Sequence, residues 1–64
     1  MNNRKSIRQY EFVSPYAVIV FSVVGWKDWT DEQFDACASD DLKLYVKSPQ
    51  DYQMNEVYEL ENAS

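Results

Sequence analysis

The run AVIVFSVV, residues 17–24, constrains this chain more than any other feature, because it passes eight positions without a charge. Five of the eight are Val or Ile, whose branched side chains suit a pleated surface better than a helix. With Tyr16, Gly25 and Trp26 the stretch reaches eleven residues, well short of the roughly 20 that a membrane-spanning helix needs. The basic start, MNNRKSIR, is what a signal peptide would carry, but Gly25-Trp26-Lys27-Asp28 follows the run where a small-x-small cleavage site would stand. The segment therefore reads as a strand of a soluble protein. Its unbroken apolarity, without alternation, predicts a strand covered on both faces and hence central in its sheet.

Sixty-four residues make at most one domain, and a chain of this size buries only about 60% of the surface its unfolded form exposes. Cys37 is the only cysteine, so no disulfide forms within the chain, and a lone thiol fits a reducing, cytoplasmic setting. Ten aromatic residues, two Trp, five Tyr and three Phe, supply the core that a small domain otherwise lacks.

The pattern on either side of the run predicts a ββαββ order. QYEFVS, 9–14, alternates weakly and reads as a first strand, and Pro15 interrupts it. Thr30-Asp31-Glu32-Gln33 matches the capping box that opens a helix. Phe34, Cys37 and Ala38 then share a narrow apolar face, while Ser39-Asp40-Asp41 reads as the helix end. LKLYVKS, 42–48, alternates cleanly and predicts a further strand. MNEVYELE, 54–61, predicts the last one, paired beside 42–47 so that Glu56, Glu59 or Glu61 opposes Lys43 and Lys47. A helix opening at Ser48-Pro49 is the other reading of this stretch. The fold class is α+β: about four mostly antiparallel strands with one short helix on a face.

The net charge is −5, from six basic and eleven acidic residues. Arg4, Lys5 and Arg8 lie in residues 1–8, which read as a flexible basic tail; residues 9–64 form the acidic domain. That domain carries three lysines against eleven acids, so direct nucleic-acid or anionic-membrane binding is not expected. Without histidine the commonest general base and the usual zinc spacings are missing. One glycine cannot build a phosphate-cradling loop. Cys37, placed among apolar residues, reads as structural. The acids fall at exposed positions rather than in a desolvated pair. No enzyme activity, cofactor or metal site is expected.

What remains is WKDWTDEQFDACASDD, residues 26–41. Its bland explanation is a solvated helix with Asp31 and Glu32 at the positive end of the dipole. Against this, Asp31 and Asp35 are like charges four apart, which weakens a helix, and Asp40 and Asp41 would sit at the negative end. Charges about every 4 to 5 Å along the helix approach the phosphate spacing of a nucleic-acid strand, about 3.4 Å. The candidate partner-binding residues are therefore Trp26, Asp28, Trp29, Asp31, Glu32, Asp35, Asp40 and Asp41. Here the tryptophans serve as anchors, and the partner is a host protein with a basic nucleic-acid-binding surface.

The expected function is a non-enzymatic inhibitor or modulator acting as a nucleic-acid mimic. By analogy of size and composition alone, it is of the kind carried as accessory proteins by phages and mobile elements. The alternative is a structural or assembly protein, a homo-oligomer that self-associates through a sheet edge in QYEFVS or EVYELE.

Overall fold

The computed structural model describes residues 4–60. Strands β1 (Lys5–Val13) and β2 (Val18–Trp26) form a hairpin, followed by helix α1 (Asp31–Tyr45), a short 3-10 turn (Pro49–Asp51) and strand β3 (Gln53–Glu59). The sheet runs β2-β1-β3 with both pairings antiparallel. The class is α+β, as the sequence predicts, with three strands among the described residues.

The hairpin closes around Ser14. Its amide donates to the Ala17 carbonyl at 2.9 Å, and its Oγ accepts from the Tyr16 and Ala17 amides at 3.1 and 3.0 Å. Pro15 falls in this loop, where it removes no ladder bond. Register then follows alternation: Ser6, Arg8, Tyr10 and Phe12 of β1 stand opposite Gly25, Val23, Phe21 and Ile19 of β2, and this set faces the helix.

Helix α1 starts with the expected capping box: Thr30 Oγ1 accepts from the Gln33 amide at 3.2 Å, and Gln33 Oε1 accepts from the Thr30 amide at 2.8 Å. Phe34, Ala38 and Leu42, each four residues on from the last, are the helix's buried residues. They close on Tyr10, Phe12 and Val23, with Ile19, Phe21, Trp29, Cys37, Val46 and Tyr52 packed around them. Gly25 is tied to this packing. A Cβ there would lie 2.3 Å from Trp29 Cε3 and 2.8 Å from Phe34 Cε1, so only a residue without a side chain lets the two rings reach the sheet.

Four expectations are corrected. The predicted strand at 42–48 is absent: α1 continues to Tyr45. Leu42 extends the four-residue spacing of Phe34 and Ala38, and that buried stripe outweighs the two-residue alternation, leaving Leu44 exposed. Asp40 and Asp41 thus lie inside a fifteen-residue helix, not at its negative end. The strand at 54–61 does form, as β3 over Gln53–Glu59, but it pairs with β1. Glu56 and Glu59 consequently do not oppose Lys43 and Lys47, and Glu61 lies outside the described residues. Third, residues 5–8 of the expected tail belong to β1; residues 1–3 lie outside the described residues. Fourth, β2 is an edge strand, and the central place is taken by β1. QYEFVS is therefore paired on both sides and offers no free edge.

Candidate protein interface

The eight candidate residues do not form one acidic face. Trp26 ends β2, a tight turn closes with the Trp29 amide donating to the Trp26 carbonyl at 3.0 Å, and the chain enters α1. Trp26, Asp28, Trp29 and Gln33 line an open hollow of about 540 Å³ at this corner. The two tryptophans differ in role. Trp29 is half-buried and meets the Phe34 ring edge-on at 5.1 Å between centroids, whereas Trp26 is exposed.

Asp31 and Asp35 turn toward β1. Asp31 Oδ1 pairs with Arg8 Nη2 at 2.9 Å, and Asp35 Oδ1 accepts from the Tyr10 hydroxyl at 2.9 Å. Arg8 lies 4.2 Å from the centroid of the Phe34 ring, and its Nε is buried without a partner. Burial alone would lower the guanidinium pKa; Asp31 first and then Tyr10, together, outweigh this and leave it raised. For Tyr10, burial is the main cause of a pKa pushed up to about 12, and the adjoining Asp35 adds to it. These two acids clamp helix to sheet.

Glu32 and Asp40 are exposed and Asp41 is half-buried. At about 100° per residue they point in three directions from the helix axis, and Asp40 approaches Lys43 at 3.7 Å. Cys37 is half-buried; burial raises its thiol pKa first, with Asp41 and then Asp40 adding to it. That is the opposite of what a nucleophilic thiolate needs.

The side of the sheet turned away from α1 carries a second constellation, absent from the expected set apart from Trp26. Alternation places Val18, Val20, Ser22, Val24 and Trp26 of β2 on it, beside Lys5, Ile7, Gln9, Glu11 and Val13 of β1. Beyond β1, β3 adds Tyr58 opposite Gln9 and Glu56 opposite Glu11. Val18, Val20 and Val24 are 57%, 53% and 56% exposed, high values for β-branched residues in a strand. In their midst Glu11 and Glu56 are like charges directly across two strands, a pairing that weakens a sheet. Asn55 Nδ2 donates to Glu11 Oε2 at 3.1 Å, and the Tyr58 hydroxyl donates to Glu56 Oε1. The Glu56 hydrogen bond and charge raise the Tyr58 pKa. Both carboxylates are thus held in place by neighbours, yet no cation pairs with either among the described residues. Sequence reasoning missed this pair because it depends on which strand lies beside β1. The alternation that buries Tyr10 and Phe12 does place Glu11 on the outer side.

Among the described residues no helix is long and apolar enough to cross a membrane, and no group of three or more potential metal ligands is found. Comparison with protein-family models, with characterised proteins and with solved structures finds no significant match.

Proposed function

We propose that this protein acts by binding another protein, not by catalysis, and that it inhibits or modulates a host partner whose own surface is basic. The observation that carries the reading is the Glu11–Glu56 pair on an open face among Val20, Val13 and Tyr58. Two carboxylates opposed across strands cost the fold a few tenths of a kcal/mol. An arginine or lysine from a partner, arriving between them, would relieve that repulsion. The exposed valines and Tyr58 around them would give the apolar contact that charge alone lacks. The overall charge of −5 adds steering toward a basic surface.

This moves the main contact from the acidic helix to the sheet. With Asp31 and Asp35 engaged by Arg8 and Tyr10, two of the five acids of α1 are turned to the sheet. A role as nucleic-acid mimic therefore rests on the sheet face, continued through Trp26 to Asp28 and Glu32 at the corner. A basic nucleic-acid-handling protein of the cytoplasm remains the partner class that fits. A phage or mobile-element origin accords with the chain's size and composition.

The test is capture on the tagged full chain, eluted in steps of rising salt, run beside two folded variants. Glu11→Gln/Glu56→Gln keeps shape and hydrogen-bonding capacity but removes charge, and Glu32→Gln/Asp40→Asn does the same on the helix. Loss of a stoichiometric basic partner with the first variant alone supports the sheet face. Equal capture by the wild type and the first variant overturns it.

A further inference from the structure

Strand β2 has the sequence of a central strand and the position of an edge. VIVFSVVGW, its nine residues, contains no charge and no proline, and its register against β1 is unbroken. Natural edge strands are blunted by charges, prolines, bulges or brevity, because an open row of backbone donors and acceptors recruits other strands. The opposite edge shows such devices. β3 has seven residues, includes Glu56 and Glu59, and a bulge between Glu11 and Phe12 breaks its register with β1. We infer that the free edge of β2 is covered by β2 of a second copy, antiparallel about a two-fold axis at Ser22, giving a continuous six-stranded sheet.

The backbone settles which groups are available. The Lys27 amide donates to the Arg4 carbonyl at 2.8 Å, and the Leu60 amide donates to the Ile7 carbonyl at 2.8 Å. Even residues of β1 thus point their polar groups at β2, and odd residues at β3. In an antiparallel ladder hydrogen-bonded and non-bonded pairs alternate. The pairs of Lys5, Ile7, Gln9, Glu11 and Val13 with Trp26, Val24, Ser22, Val20 and Val18 are therefore the non-bonded ones. On β2 the amides and carbonyls of Val18, Val20, Ser22, Val24 and Trp26 face outward.

These five positions are symmetric about Ser22. A second copy in this register sets Val18 against Trp26, Val20 against Val24, and Ser22 against itself, every one a hydrogen-bonded pair. The result is about ten backbone hydrogen bonds, two for each pair. A slip of one residue would put outward groups against inward ones and flip the faces. The interface is isologous and closes at two copies. It brings no charge against like charge, although the chain is acidic, because β2 has none. On the outer face, valines of both copies join into one apolar strip, with two serine hydroxyls at its centre able to bond one another. On the helix side, half-buried Ile19 and Phe21 gain cover from Gly25 and Val23 of the second copy. The unbroken apolar run is then explained: it belongs to the middle of a sheet that one chain only half builds.

The experiment follows the mass of the full chain by sedimentation equilibrium from micromolar to millimolar concentration. It is combined with NMR on a mixture of labelled and unlabelled protein. Expected are a monomer–dimer equilibrium, intermolecular Hα contacts between Phe21 and Val23, and concentration-dependent exchange protection of the Ser22 and Val24 amides. Ser22→Pro deletes an outward-facing donor while sparing every bond to β1, so it should stay folded by circular dichroism and remain monomeric. Val20→Lys/Val24→Lys keeps the backbone but opposes lysines across the axis, and should weaken the dimer by roughly tenfold or more at low salt. A monomer throughout the concentration range overturns the inference, as does a dimer that both variants leave intact. Ser22→Pro leaves Glu11, Glu56 and the Val20 that stands opposite Glu11 unchanged, so with this variant failure here is separable from failure of the binding reading.

Discussion

The two faces of the sheet are built from alternate residues of the same strands, and they obey different rules. On the helix side Tyr10, Phe12 and Val23 are buried against Phe34, Ala38 and Leu42, and Arg8 Nη2 and the Tyr10 hydroxyl reach Asp31 and Asp35. On the far side the residues between them, Val18, Val20, Val24 and Tyr58, are half exposed or more, and two carboxylates oppose each other. One face accounts for the stability of the chain. The other carries apolar area and charge that stability does not require. A domain this small has little apolar surface to spare, so the second face is where function is to be sought.

The sharpest way to break this contrast is at Gly25. Alanine there must displace the rings of Trp29 and Phe34, and overpacking of this kind costs about 1 to 3 kcal/mol. With the overlap so severe, the upper end is expected, seen as a large fall in the urea midpoint. If Gly25→Ala melts with the wild type, the covered face is loose enough to absorb a methyl group. Next in size is a matched pair of neighbours. Val23→Ala on the helix face should cost about 2 kcal/mol. Val24→Ala, one residue along on the open face, should stay within about 0.5 kcal/mol in dilute solution. Equal effects would mean that the open face is already packed against something.

Smaller still is the Tyr10–Asp35 link. Tyr10→Phe should lose about 1 to 2 kcal/mol, as expected for a hydrogen bond to a carboxylate. The pH dependence follows from the raised Tyr10 pKa, about 12 against an ordinary value near 10. In the window between these values the folded chain holds the phenol proton and the unfolded chain gives it up. Stability is therefore intact below about pH 10 and falls as pH rises toward 12, by on the order of 2 kcal/mol. Urea titrations across that window should show the loss in the wild type and a smaller one in Tyr10→Phe. Parallel curves would remove Tyr10 as its source.

Local chemistry in this chain was readable from the sequence, and neighbourhood was not. The capping box at Thr30 and Gln33, the strand character of 17–24 and the return of 54–59 as a strand all follow from short-range steric and hydrogen-bonding preferences. The extent of α1 did not, because Leu42 serves both a period of two and a period near 3.6, and only packing on Phe12 and Tyr10 decides between them. Nor did the sheet order. The apolar run looked central because it is dressed for burial on both faces, and nothing within one chain says that its second neighbour is missing. For the same reason Asp31 and Asp35 passed for free charges: their partners, Arg8 and Tyr10, lie more than twenty residues away along the chain. The Glu11–Glu56 pair was hidden too, since it exists only once β3 is known to lie beside β1.

That pair yields the smallest stability effect and the most telling one. Glu56→Lys replaces two like charges across β1 and β3 with an opposite pair, worth about 0.2 to 1 kcal/mol in favour of folding. A small rise in melting temperature, reduced by added salt, is the expected result. The same change places a cation where the proposed partner brings its own, so binding should fall as stability rises. Opposed signs of the two effects would mark the open face as one shaped for contact at some expense to the fold. If Glu56→Lys stabilises the protein and leaves partner capture unchanged, the opposed carboxylates are incidental, and the contrast between the faces reduces to one of burial.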